Sequence, residues 1–486
     1  MKPSTWIPAL AIAVIATAAV VTDTWMYVPA AVAGVLFAAL AVARPRVAML
    51  AWLALAPIAT VYGKVPLPGG IPDITFGRAT IALVGVALLL RARIQHQRMF
   101  PLTSVELAMG ALLFLLGADL IVRGSNVASE GLQRFDERIA PMLLFLVART
   151  LFIRAGDARR VLWILILVGV SLFGHGAYQY LRASGGPRIT DAPESLTRVE
   201  GGDRTNESHL EEGRAVGPFD NAVEYGAVVA MTLGAALAFA LHGSRATRGA
   251  AAALLVPLAA AVVISMTRSV WIAAYGAVLL LGWIDRPRRT LVLSATAAVT
   301  VVSLAALLFL PAASSLRERA VSVEPVSGRL LMYEIGVELA LERPLTGYGS
   351  GGASRRAARQ KLIARGGTDA ELAPGQFHNM FLTTAIDWGL PGMLALVAIM
   401  TLFVRAGVAL RRRTGDGDDA RRFADMFLFA TVVYLGQCLL VDTNPFLYLN
   451  GLYFFLAGVV FAQLDARLGT AAEPASALAL TTTAPA

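Results

Sequence analysis

The stretch FHNMFLTTAIDWGLPGMLALVAIMTLFV, Phe377 to Val404, sets a histidine and an asparagine directly against a long apolar run. From Met380 to Val404 the only charged residue is Asp387. A run of roughly 17–25 apolar residues is enough to cross a hydrocarbon core. This one is therefore read as a membrane helix with a polar start. Asn379 is the better helix cap by type. His378 beside it is either a second polar residue of the first turn or a group placed for chemistry where lipid meets water.

The same pattern recurs on both sides. Before it lie runs at Ile7–Val21, Met26–Val42, Val47–Tyr62, Ala79–Leu90, Val105–Val122, Ile139–Ile153 and Val161–Leu181. Further runs fall at Ala222–Leu241, Ala250–Met266, Val270–Ile284 and Leu291–Leu310, and two more follow at Phe423–Val441 and Phe446–Leu464. The pair flanking Arg268 reads as a tight hairpin or as partly re-entrant. These runs predict an all-α polytopic membrane protein of about 12–14 transmembrane helices.

Composition agrees. The chain of 486 residues is 57% hydrophobic and 15% charged, whereas soluble domains are about a quarter charged. Its net charge of +9 fits basic cytoplasmic loops and gives no reason to expect nucleic acid. The single cysteine, Cys438, lies in an apolar run and reads as packing, so no disulfide framework exists. Ile7–Val21 is followed at once by another span and reads as an uncleaved first helix.

Basic residues crowd alternate connections, such as Arg44 and Arg46, Arg91 and Arg93, Arg286 to Arg289, and Arg411 to Arg413. The positive-inside rule then puts both termini in the cytoplasm. Two long loops, 182–217 and 311–377, fall outside, and loops of that length usually carry function. The expected organisation is 1–210 as N-terminal helices with the first loop, then 211–404 as a core containing the large loop. Helices at 405–468 follow, and 469–486 is a disordered cytoplasmic tail.

In the large loop, Leu331, Ile335 and Leu339 recur at helical spacing, and Pro344 ends that helix. Glycines 347, 349, 351 and 352 follow, readable as a plain connector or as a loop whose amides meet phosphate. Next comes ASRRAARQKLIARGG, basic with no acid among its residues. A solvated helix face explains such a run, and so does an anionic ligand such as a lipid pyrophosphate. Arg214, Arg268 and Arg329 also sit near expected outer surfaces. Guanidinium forks suit phosphate oxygens, although interfacial snorkelling would also place them there.

Four stretches in order, RAVGPFDNAVEYG, SMTRSVW, SGRLLMYEIGVELALERPLTGYG and FHNMFLTTAIDWGLPG, resemble the O-antigen ligase and Wzy-type polymerase superfamily. The resemblance covers roughly residues 210 to 400. It implies a GT-C-like fold with one large periplasmic loop containing amphipathic helices. It further implies a glycosyltransferase of the bacterial inner membrane that takes a glycan from undecaprenyl pyrophosphate at the periplasmic face. The acceptor would be lipid A core or another glycan, with membrane lipids as surroundings and no cofactor. The family's conserved histidine falls on His378, and its substrate-binding arginines fall on Arg214, Arg268 and Arg329. Asn379 and Asp387 take supporting places, Asp387 standing where the family often has glutamate.

The chemistry is coherent. Arginines can stabilise a departing pyrophosphate, and a neutral imidazole can accept the acceptor's proton. His175, His209 and His378 are too scattered for a metal site. On a straight helix Asp387 would lie about 14 Å deeper than His378. Ligase and polymerase stay open, and a secondary transporter is the alternative from another class.

Overall fold

The structure is a computed structural model. It describes residues 28–62, 64–65, 74–94, 102–123, 131, 133–183, 214–309, 324–349, 352–366 and 377–469. The expected span Ile7–Val21, most of the loop 182–217, part of the loop 311–377 and the tail after Gly469 lie outside these residues.

Every expected span from Met26–Val42 onward is a helix. In chain order they are α1 (Val28–Ala43), α2 (Pro45–Tyr62), α3 (Phe76–Ile94), α4 (Ser104–Arg123), α5 (Ala140–Leu151) and α6 (Asp157–Ala183). Next come α7 (Ala222–His242), α8 (Arg245–Ile264), α9 (Arg268–Ile284) and α10 (Arg289–Phe309). The large loop contributes α11 (Glu324–Glu342) and α12 (Gly352–Ala364), and the chain closes with α13 (Met380–Arg412), α14 (Asp419–Leu440) and α15 (Leu447–Leu468). A π-helical turn, Phe135–Ile139, leads into α5. One two-residue strand pair, Lys64–Val65 with Ile74–Thr75, is the only sheet among the described residues. The protein is an all-α polytopic membrane protein, and seven of the described helices are long and apolar enough to cross a membrane.

Burial separates centre from perimeter. The apolar windows of α7, α14 and α15 are 83%, 72% and 89% buried, against 22% for α4 and α8. The first three therefore form the packed middle, and α4 and α8 turn apolar side chains such as Phe114 and Val256 outward. Outward apolar side chains are what lipid requires. α15 lies along α5 with Gly458 against the Phe145 carbonyl and Ala148, a contact that a side chain at that position would block.

α13 is not straight. Trp388 (φ −125°, ψ 16°) and Gly389 (φ 71°, ψ −178°) leave helical geometry. The cause is local chemistry. Pro391 has no amide to give the Asp387 carbonyl, so the helix cannot continue its ladder there. The loop after α11 supplies the missing bonds. The Tyr348 amide donates to Ile386 O (2.8 Å), the Gly349 amide to Asp387 O (2.9 Å), and the Leu390 amide to Pro344 O (2.7 Å). A Cβ on Gly389 would sit 2.7 Å from the Leu345 carbonyl carbon, so only glycine permits this docking.

The bend is sharp. A Cβ on Gly392 would lie 3.7 Å from Thr384 Cγ2, although these positions are about 12 Å apart along a straight helix. Asp387 lies just before this break, at the end of the helical arm that begins at Met380. The amides of the glycine loop are taken by α13 carbonyls at Tyr348 and Gly349, which removes them from any phosphate cradle.

α11 carries the expected apolar stripe. Ile335 and Leu339 are buried and Leu331 packs against the same cluster, which also contains Phe377 and Ile386. α12 runs back along α11. Lys361 pairs with Glu338 (3.1 Å) and Glu342 (2.6 Å), and Arg365 pairs with Glu338. Two cations of the basic run are thus balanced by acids of the neighbouring helix, which sequence order had hidden.

Candidate active site

One end of the bundle gathers the starts of α7, α9, α13 and α15 and the ends of α6, α8 and α14. Asn379 caps α13, its side-chain oxygen accepting from the amides of Phe381 and Leu382 (3.0 Å each). Its Nδ2 donates to Leu439 O at the end of α14 (3.2 Å). His378 is thereby freed from capping. Its backbone is left-handed (φ 48°), a conformation that costs a non-glycine residue roughly 1–2 kcal/mol. The Tyr333 hydroxyl of α11 lies 3.1 Å from His378 O and 3.2 Å from Leu439 O, tying the loop helix to this turn. His378 Nδ1 is buried with no hydrogen-bond partner. Burial and the nearby Arg329 guanidinium hold the imidazole well below its usual range, at about 4.

Arg214 and Arg268 come together at the α8–α9 hairpin. Arg214 is buried and donates from Nη2 to Thr267 Oγ1 (3.2 Å), the residue before Arg268. The Ala215 amide donates to Ile264 O (3.0 Å), so the segment before α7 runs along the hairpin tip. Gln179 of α6 holds that segment from the other side, accepting from the amides of Val216 (3.1 Å) and Gly217 (2.8 Å). Met266, at the hairpin tip, has φ 49°. It and His378 are the two non-glycine residues with left-handed backbone among those described. Strain of this kind collects at functional sites.

The last turn of α14 connects the halves. Ser269 Oγ donates to Gln437 Oε1 (2.9 Å), beside the Leu439 carbonyl that holds Asn379. The structure thus brings His378, Asn379 and Arg329 together on one side of this turn and Arg214 with Arg268 on the other.

Asp387 belongs to a deeper layer. Ser354 of α12 hydrogen-bonds its carboxyl, and the charges of Asp442, Arg138 and Glu137 reach it. Arg138 is 3% exposed, donates to Thr384 Oγ1 (3.0 Å) and lies over the Trp388 ring (5.2 Å). Burial raises Asp442, with Arg138 and Arg355 opposing that shift. Arg134 and Arg138 fall in a short connection of the sequence. Both are inserted in the core, Arg134 pairing with Asp119 at 2.9 Å. The partner of Arg138, Thr384, is far away in sequence, so no local signal marked it.

Buried polar atoms without hydrogen-bond partners occur here at His378 Nδ1, Asp387 Oδ1, Arg138 Nε, Trp388 Nε1, Gln437 Nε2 and Asn444 Oδ1, and at the opposite end on residues of ion pairs such as Arg149, His242 and Asp285. Native proteins rarely tolerate such groups unless an ion pair or a site uses them.

The profile of the O-antigen ligase family matches residues 252–397. That stretch runs from α8 into α13 and contains Arg268, Arg329, His378, Asn379 and Asp387, while Arg214 lies before it. No curated protein matches the chain. Residues 252–397, set in a bundle of apolar helices, are thus similar to the O-antigen ligase domain, which supports kinship with the O-antigen ligase/Wzy superfamily.

Proposed function

We propose that this end of the bundle is the periplasmic active site of a metal-independent, inverting glycosyltransferase of the bacterial inner membrane. It moves a glycan from undecaprenyl pyrophosphate to an acceptor hydroxyl on lipid A core or on another lipid-linked glycan. The observation carrying this reading is His378 itself, a strained and half-buried imidazole whose Nδ1 has no partner, set beside an arginine.

Arg214, Arg268 and Arg329 bind the pyrophosphate, where charge grows as the anomeric C–O bond breaks. His378 takes the proton of the acceptor hydroxyl as its oxygen bonds to the anomeric carbon. A single displacement inverts that carbon, and undecaprenyl pyrophosphate leaves. An imidazole held at about 4 is a weak base in the free protein. A bound pyrophosphate offsets the Arg329 charge and raises it, so the base gains strength only once the donor is in place. Asp387, Arg138 and Asp442 hold the bend of α13 and the floor of the site.

A transporter would keep its unusual polar groups near the bundle's midplane. Their gathering at one end favours the enzyme. The test is complementation of a deletion strain with His378→Ala. The expected result is normal membrane insertion with glycans left on the undecaprenyl carrier, and wild-type surface glycan would sink the reading. In the plain deletion, lipid A core capped by single repeat units marks a polymerase, and long chains left on the carrier mark a ligase.

A further inference from the structure

A cavity opens at the same end, on the far side of the π-turn and of the α14–α15 connection. It encloses about 200 Å³. Glu137, Arg138 and Asp442 face the candidate active site, whereas Asp136, Pro445 and Leu447 line this cavity. Two short segments therefore serve as a shared wall.

The cavity has two kinds of lining. Trp52, Phe219 and Tyr448 give one side aromatic surface, with Tyr448 centred 5.9 Å from Trp52 and 5.8 Å from Phe219. The other side is charged. Arg78 Nε donates to Asp136 Oδ1 (2.9 Å), and Asp220 and Glu224 complete it. Glu224 Oε1 accepts from the Tyr448 and Leu449 amides (3.1 and 3.2 Å), which fixes it at the start of α15. Arg78 is the one cation of this lining and is already paired with Asp136, which leaves little to attract a phosphate. An isoprenoid chain would leave those acids facing hydrocarbon, at a cost in free energy. A sugar ring suits both sides, with its C–H face on the aromatic surface and its hydroxyls on the carboxylates and guanidinium.

Position supports the same occupant. Pro218 to Asp220 line the cavity, and Arg214 begins the same segment. Four residues of extended chain span at most about 14 Å. A glycan attached at the arginines is therefore within a ring or two of the cavity.

We propose that this cavity is a binding subsite for one uncharged sugar ring of a glycan substrate. It rests on the glycan-transfer reading only for the nature of the substrate. The test uses binding alone, so its failure is separate from any failure of His378→Ala. Cys438 is buried, so a cysteine introduced as Gly77→Cys, or as Leu447→Cys at a position 46% exposed, is the reporter for a hydrophilic maleimide. The full-length protein in nanodiscs is labelled with methyl hexopyranosides, undecaprenyl phosphate or inorganic pyrophosphate present. A hexopyranoside at tens of millimolar should slow labelling by about threefold or more, as occupancy of a millimolar site requires. Asp220→Asn should remove that protection, and the other two compounds should give none. Protection by undecaprenyl phosphate or pyrophosphate, protection by none of the hexopyranosides, or protection that survives Asp220→Asn overturns the proposal.

Discussion

The two ends of the bundle treat charge differently. At the end away from His378, charges are spent on one another. Arg149 pairs with Asp465 (2.8 Å) and with Glu106, and Arg467 pairs with Asp418 (2.8 Å). His242 Nε2 lies 3.2 Å from Asp285 and 3.4 Å from Asp425, and Asp425 also holds Arg411. At the His378 end, Arg78–Asp136 and Arg134–Asp119 are paired; buried polar atoms without hydrogen-bond partners occur at both ends, those of the far end on residues of ion pairs, and the two strained residues lie at this one. One removed partner in a buried pair costs about 3–5 kcal/mol, so unmatched groups persist only where something else compensates. The paired end reads as architecture. The strained end reads as a place where a charged substrate completes the set.

That contrast can be broken most sharply at His378. His378→Gly relieves the left-handed backbone, so stability should rise by about 1 kcal/mol. Transfer should fall by about 10²–10⁴-fold, the range for losing a general base. Thermal unfolding and a glycan-transfer assay on the same preparation read both, and an active, destabilised variant would reverse the assignment. At the opposite end Asp425→Ala should do the converse. Removing it strands His242 and Arg411, costing about 3 kcal/mol, with turnover per folded molecule unchanged. A stable but inactive Asp425→Ala would show that the paired end is not purely structural.

Arg214→Lys and Arg268→Lys keep charge and lose the guanidinium fork. Each should raise the donor KM about tenfold, the worth of one charge-assisted hydrogen bond. An unchanged KM in both would remove the pyrophosphate role. The smallest effect is in pH dependence. The folded imidazole sits at about 4, below the unfolded value of 6.5. Its contribution to stability is therefore complete above pH 6.5 and is lost as pH falls towards 4. In kinetics, the acid limb of kcat/KM follows the free protein, and the limb of kcat follows the donor complex. The kcat limb should lie at the higher pH, and coincident limbs would remove the donor-raised base.

Much of this was legible in the sequence because lipid makes backbone satisfaction local. A span must bond to itself, and hydropathy therefore located every described membrane helix. Asn379 as a cap and the stripe at Leu331, Ile335 and Leu339 were legible for the same reason. The bend in α13 was only half written there. Pro391 and Gly389 signal a break, but the bonds that hold it come from Pro344 to Gly349. Arg138 was invisible, since its contact with Thr384 spans more than half the chain. Glu224 carries no local signal of its role, which is to accept from the amides of Tyr448 and Leu449 at the start of α15. Tertiary partners decide these residues, and their spacing carries no period.

The central claim is that His378 moves the acceptor's proton while the arginines hold the donor. Its most direct test is single-turnover transfer by purified His378→Ala, with donor binding measured on the same nanodiscs. The account predicts wild-type affinity for the undecaprenyl-pyrophosphate-linked glycan and no detectable transfer. Transfer at the wild-type rate by a variant that binds its donor normally would contradict it.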